Sequence, residues 1–107
     1  MTTVIPILSE LAPSAGNALV LHVNNAGQTS TGTVFCMNKG VVDDHVSVAL
    51  VTNGNVSTSN CFICYRSLLN YGHSLYLQQI CLDSQDFIEV TSENGTSTFI
   101  FTGQTIS

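Results

Sequence analysis

The cysteines are the residues of this chain that most directly suggest chemistry. Cys61 and Cys64 form a C-x-x-C pair, a spacing found in redox centres and as half of a zinc site. A zinc site needs two further ligands at compact spacing, but Cys36 and Cys81 stand alone in apolar stretches. A redox pair would open a helix, whereas Phe62-Ile63 favours a strand. We therefore expect four reduced, buried thiols and no cofactor, as in a protein made in a cytoplasm.

The histidines do not have the spacing of a metal site. His22, His45 and His73 lie at or beside the ends of apolar stretches, without an HxH or HxxxH pattern. We expect them at polar positions on outward faces or at strand ends. A Cys–His dyad, such as Cys36 with His45, has no specific support in the sequence.

The carboxylates predict turns and loops. Asp43-Asp44 precedes an alternating stretch and predicts a solvated loop, and it lacks the further oxygen ligands that calcium needs. Asp83 and Asp86 bracket a turn, in which an Asp carboxylate accepts backbone N–H bonds. The chain has neither a G-x-S-x-G motif nor a glycine-rich phosphate loop. We therefore expect that this protein is not an enzyme.

The composition of the chain argues against nucleic-acid and membrane partners. Only 8% of the 107 residues are charged, against about 25% in ordinary soluble domains. The formal net charge is -5, so the basic surface that binds nucleic acid is missing. No apolar run is long enough to cross a bilayer, and the first residues do not resemble a signal peptide. A surface with so few charges is typical of a chain covered by copies of itself or by a larger assembly.

Short alternating stretches between turn residues predict an all-β domain. Asn94-Gly95 is the strongest hairpin signal and is expected to join the last two strands. The fold expected is a single antiparallel β-sandwich or jelly-roll-like domain over residues 17–107, with an extended N-terminal arm over residues 1–16. Seven strands are predicted, and an eighth if the arm pairs: 18–23, 31–38, 45–52, 61–66, 74–81, 87–91 and 98–103.

The order of these segments carries a resemblance. The lead is Leu11-Ala12-Pro13-Ser14-Ala15-Gly16, followed by a strand with Leu19-Val20-Leu21-His22-Val23. Four further segments continue the order: Phe35-Cys36-Met37-Asn38-Lys39-Gly40, Val46-Ser47-Val48-Ala49-Leu50, Cys61-Phe62-Ile63-Cys64-Tyr65 and the stretch 75–82. Two more complete it: Asp86-Phe87-Ile88-Glu89-Val90 and Phe99-Ile100-Phe101-Thr102-Gly103. In this order the chain resembles small β-sandwich virion structural proteins of tailed bacteriophages. It departs from their pattern at Asn24-Asn25, Lys39 and Gln79.

The resemblance implies a building block of the virion. Such proteins decorate or cement capsids, often as trimers, or form parts of tails and baseplates. The expected partners are further copies of this chain and the major capsid protein or other virion proteins, with no nucleic acid or membrane involved. The arm would then reach a neighbouring subunit through four apolar side chains: Ile5, Ile7, Leu8 and Leu11.

Two alternatives remain open from the sequence. The first is a tail, neck or fibre component of the virion. The second is a small carbohydrate- or receptor-binding module, in which Tyr65, Tyr71 or Tyr76 would stack on a sugar ring. Phe62 is a fourth aromatic residue that could contribute to such a surface. Because tryptophan is absent, packing in the core or between subunits is the preferred use of these rings.

Overall fold

The computed structural model of the protein describes residues 4–52 and 62–107. Over these residues the all-β prediction is confirmed. The described strands are β1 Val4–Leu11, β2 Leu19–Val23, β3 Thr29–Asn38, β4 Asp44–Val51, β5 Phe62–Leu69, β6 Ser74–Leu82, β7 Phe87–Ser92 and β8 Ser97–Ile106. The segment 4–11 therefore supplies the eighth strand.

The strands form two antiparallel sheets of four. Sheet A has the order β1-β8-β3-β6, and sheet B has the order β2-β7-β4-β5. The first strand thus pairs with the last, the second with the seventh, the third with the sixth and the fourth with the fifth. This is the arrangement of a long hairpin folded over itself, and it makes the sandwich a jelly roll.

The core lies between the inner faces of the two sheets. Alternate residues of β3 and β8 point inward from sheet A, and alternate residues of β4 and β7 point inward from sheet B. The β-branched and aromatic side chains that favour strands supply most of this core. Its largest fully buried apolar members are Phe99, Phe101, Leu82, Ile88, Val34, Val46, Val48 and Val90.

A pair of glycines lets the two central strands of sheet A approach closely. Gly32 of β3 is the Cα partner of Gly103 of β8. A Cβ atom on Gly32 would lie 2.2 Å from the Thr102 carbonyl oxygen, and one on Gly103 would lie 2.0 Å from that of Thr31. A side chain at either position would push the strands apart.

The hairpin expected at Asn94-Gly95 is wrong, although the turn itself is present. Gly95 has a φ of 73°, as the turn chemistry predicts. However, β7 lies in sheet B and β8 in sheet A, so this turn carries the chain from one sheet to the other. The strands that it connects are not hydrogen-bonded to each other.

Candidate functional site

The outer face of sheet A is a broad surface with very little charge. The register places alternate residues of β1, β8, β3 and β6 on this face, opposite the buried Val34, Cys36, Phe99 and Phe101. Among the outward side chains of these described strands, Glu10 is the sole charged one. The others on the first three strands are Val4, Pro6, Leu8, Thr98, Ile100, Thr102, Gln104, Ile106, Thr29, Thr31, Thr33, Phe35 and Met37.

Part of this face is apolar and ordered by ring packing. Phe35 is the Cα partner of both Ile100 and Tyr76, so the three side chains form a row across β8, β3 and β6. The rings of Phe35 and Tyr76 meet edge to face, with their centroids 4.6 Å apart. Tyr76 is nevertheless 57% exposed. The row is thus an ordered aromatic and aliphatic patch that stays partly open to solvent.

The four residues predicted as an assembly interface all lie on β1, an edge strand of sheet A. Ile7 and Leu11 are half-buried and pack against the core, whereas Leu8 is 76% exposed and Ile5 is 45% exposed. β1 pairs with β8 of its own chain from Val4↔Ile106 to Leu11↔Phe99. The role of residues 1–16 as an assembly arm stays a prediction.

The described edge strands differ in regularity. The register of β2 against β7 shifts between Val20 and His22, and that of β5 against β4 shifts twice. The β3–β6 register shifts between Gly32 and Val34, opposite Gln79, which has a φ of 59°. Such irregularities discourage pairing with another chain. The β1–β8 register, in contrast, has no shift.

Asp44 lies at one end of the sandwich in a buried hydrogen-bond network. Its side chain is 0% exposed, so the solvated loop predicted at Asp43-Asp44 is wrong for Asp44. Oδ1 accepts hydrogen bonds from the backbone N–H of His45 (2.8 Å) and of Asn94 (2.9 Å). Oδ2 accepts from the hydroxyls of Ser97 (2.6 Å) and Ser92. One carboxylate thereby ties the start of β4 to the β7–β8 turn.

The Asp44 network is built for structure. Burial of the carboxylate opposes its ionisation, but the bonds from Ser92, Ser97, Asn94 and His45 outweigh this and hold the pKa of Asp44 below its ordinary value. Asp44 therefore carries a charge satisfied by donors, and it is a poor general base. No local pattern marks it, because its hydroxyl partners lie 48 and 53 residues further along the chain.

Two asparagines bind the loops together in the same way. At the other end of the sandwich, Asn24 is 2% exposed and donates to the carbonyls of Leu82 (3.1 Å) and Asp83 (3.0 Å). Beside the Asp44 network, Asn38 is 0% exposed and donates to the carbonyls of Val42 (2.8 Å) and Leu69 (3.0 Å). Both side chains position loops by satisfying buried backbone acceptors.

The turn at 83–86 confirms the role predicted for the Asp86 carboxylate. Asp86 Oδ2 accepts a hydrogen bond from the Asp83 N–H at 3.0 Å. The Asp86 N–H donates to the Asp83 carbonyl at 3.2 Å. The Asp86 carboxylate is therefore explained by turn chemistry, and Asp83 contributes its backbone groups.

The three described thiols do not form a reactive centre. Cys36 and Cys64 are buried, as predicted, while Cys61 lies outside the described residues. The prediction is wrong for Cys81, which is exposed because Ile80 and Leu82 on either side of it turn inward. Burial raises the pKa of the Cys36 thiol to about 12, with smaller contributions from Cys64 and Asp44. A thiol with so high a pKa is a poor nucleophile at neutral pH.

The three histidines lie on different elements: His22 on β2, His45 on β4 and His73 in the turn before β6. The ring of His22 contacts the ring of Phe101 at a centroid distance of 5.2 Å, and its Nε2 lies 3.0 Å from Asn24 Oδ1. His45 and His73 are exposed. Since Cys36 points into the core and His45 is exposed, the dyad considered from the sequence is not assembled. Within residues 4–52 and 62–107, no group of three or more potential ligands could hold a metal ion.

The three tyrosines do not share one sheet face. Tyr65 is on β5 in sheet B, Tyr76 is on β6 in sheet A, and Tyr71 lies in the turn between these strands. They are 62%, 57% and 60% exposed, so packing in the core is wrong for all three. Their use between subunits stays a prediction, and the Phe62 side chain lies outside the described set.

Two further results concern membrane-spanning helices and similarity to known proteins. Across the described part of the chain, no helix is long and apolar enough to cross a membrane. Comparison with known protein families and with curated proteins finds no match.

Proposed function

We propose that this chain is a virion structural protein of a tailed bacteriophage, and specifically a decoration or cement protein of the capsid. The observation that carries the proposal is the outer face of sheet A, which has one carboxylate among its outward side chains on the described strands. The order of segments that resembles phage virion proteins supports the same class. No chemical centre among the described residues competes with this interpretation.

The size of the face suits a stable contact. Four strands about 4.8 Å apart and up to ten residues long cover roughly 600 Å². A standard protein interface buries about 800 Å² on each partner, and this face approaches that area. Threonines and aliphatic side chains are cheap to desolvate compared with Lys, Asp or Glu. Covering this face therefore costs little free energy and buries the Phe35–Tyr76 row.

A binding experiment with particles tests this proposal. Phage particles that lack the chain would be incubated with the purified wild-type protein or with Thr102→Lys, which places a charge on the exposed centre of β8. We expect the wild type to bind and the variant to bind at least about tenfold more weakly, or about 1.4 kcal/mol. Val23→Lys on β2 of sheet B adds the same charge at a residue that is 54% exposed, and should bind like the wild type.

The results separate the proposal from its alternatives. If the wild type does not bind such particles, the virion role is contradicted. If both lysine variants bind equally, the chain still belongs to the particle, but sheet A is not the face in contact. Binding restricted to tails would favour the tail, neck or fibre role over decoration of the capsid.

A further inference from the structure

We propose that β1 pairs with β1 of a second copy of this chain, antiparallel and about a two-fold axis. The two four-stranded A sheets would then join into one sheet of eight strands. The inference rests on the proposed assembly function and deepens it, since it names both the contacting element and its symmetry. The segment that would pair with the β1 edge is the β1 strand of the second copy, with the sequence Val-Ile-Pro-Ile-Leu-Ser-Glu-Leu.

The regularity of β1 is the first reason for this pairing. A strand adds to a sheet edge most readily where the edge strand is regular and its open backbone groups lie in one row. The β1–β8 register is unbroken over all eight residues of β1, whereas each of the other described edges has a register shift. β1 is therefore the most regular of the described edges, with the missing N–H of Pro6 as the one gap in its open row of backbone groups.

The side chains of β1 also suit burial. Val4, Ile5 and Leu8 are 56%, 45% and 76% exposed, so pairing at this edge would remove apolar surface from water. Pro6 lacks a backbone N–H, and proline in sheets occupies edge strands with that side away from the neighbouring strand. It removes one donor per copy from the new ladder and leaves its carbonyl as an acceptor.

The charge on β1 selects the antiparallel arrangement. Glu10 is the one charged residue of the strand. Parallel pairing in register would place two Glu10 carboxylates on neighbouring strands, about 5 Å apart along the hydrogen-bonding direction. Antiparallel pairing separates them along the strand. A partner that is a second copy therefore fits only when the strands run in opposite directions.

Side-chain matching then fixes the register. Directly opposed residues must point to the same face, so outward residues pair with outward ones. With Leu8 opposite Leu8 of the second copy, Ile5 lies opposite Leu11 and Pro6 lies opposite Glu10. The alternative with Ile7 on the axis would place Val4 opposite Glu10 and leave Leu11 unpaired. The Leu8 register is favoured because it opposes more apolar side chains. Both registers keep the two Glu10 residues apart along the strands, by four residues (about 13 Å) in the Leu8 register and by six in the alternative.

Disulfide trapping tests this register. Each variant would carry Cys81→Ser, because Cys81 is the exposed thiol of the described residues. Leu8→Cys places two cysteines at the axis within the Cα separation that a disulfide requires, below about 7 Å. Glu10→Cys is equally on the outer face, but its two copies would be too far apart. The Cys81→Ser protein without an added cysteine gives the baseline.

Sedimentation of the full chain tests the association itself. We expect a concentration-dependent dimer, a dissociation constant raised at least tenfold by Leu8→Lys, and no change with Val41→Lys, a loop residue that is 88% exposed. Leu8 is exposed in the monomer, so its replacement should leave the fold intact. A monomer at all concentrations, a trimeric mass, equal effects of the two lysines, or equal crosslinking of Leu8→Cys and Glu10→Cys would overturn the inference. A monomer that still binds particles would reject this pairing and leave the proposed function standing.

Discussion

The Asp44 network predicts a specific ranking of substitutions. Asp44→Ala removes the acceptor of two backbone N–H groups, from His45 and Asn94, that cannot turn elsewhere. Each buried donor left unsatisfied costs about 1–3 kcal/mol, so we expect the free energy of unfolding to fall by about 4 kcal/mol. The hydroxyls of Ser92 and Ser97 can rotate, and they add less to this loss.

Asp44→Asn should cost much less. An Asn at this position can keep its carbonyl oxygen on the two N–H groups and direct its amide nitrogen at Ser92 and Ser97. Serine hydroxyls accept as well as donate, so all four contacts survive without the charge that strengthened them. We expect a loss of about 1–2 kcal/mol. Asp43→Asn is the matched control, since Asp43 is exposed and bonds the Tyr71 N–H at 3.1 Å, which an amide oxygen can also do.

Urea unfolding followed by far-UV circular dichroism measures these differences, at pH 7 and again at pH 3. The pKa of Asp44 is depressed in the folded protein, so its contribution is fully present above the ordinary carboxyl pKa near 4. That contribution is lost as the pH falls through the folded-state pKa. The gap between wild type and Asp44→Asn should therefore narrow at pH 3. Equal losses for Ala and Asn, or an Asn variant no less stable than Asp43→Asn, would refute the reasoning.

Two further predictions follow from the buried polar groups and the thiols. Asn24→Ala should lower the free energy of unfolding by about 2–3 kcal/mol, because it leaves the carbonyls of Leu82 and Asp83 without their donor. The same change at the exposed Asn25 should alter the free energy of unfolding by less than about 0.5 kcal/mol. Urea unfolding of both variants checks this difference. In native protein treated with iodoacetamide, mass spectrometry should find Cys81 alkylated and Cys36 protected until urea unfolds the chain, and equal labelling of the two would contradict the burial and raised pKa of Cys36.

The strands themselves could be predicted because their signals are local. The alternation of Val46, Val48 and Leu50 with other residues has the period of two that predicts a strand, although the structure also buries Ser47, Ala49 and Val51. The turn residues that bound the strands act within three or four positions. The observed strands differ from the predicted ones mainly by a few residues at their ends. The pairing order could not be predicted. Asn94-Gly95 specifies a reversal of the chain, but which sheet receives the next strand depends on the whole jelly roll.

The candidate site was only partly predictable for the same reason. The apolar residues of β1 were visible in the sequence, but the division between the half-buried Ile7 and Leu11 and the exposed Leu8 requires the pairing with β8. Asp44 could not be distinguished from Asp43, since distant serines decide which carboxylate is buried. The outer face of sheet A is also invisible as a unit, because four strands from opposite ends of the chain compose it.

The structure also changes how an assembly role should be tested. Deleting residues 1–11 would remove β1 and its contacts to the core, and would expose the edge of β8. Loss of binding by such a truncated chain would not distinguish a missing contact from a damaged fold. Point substitutions at exposed positions such as Leu8 and Thr102 avoid this problem.

The central claim is that the chain is a structural part of a virion, and its copy number in purified particles tests this most directly. Quantitative mass spectrometry would compare peptides of this chain with those of the major capsid protein. A decoration or cement role predicts a copy number comparable with that of the major capsid protein. A much smaller number would place the chain in the tail or neck, and its absence from purified particles would contradict the account.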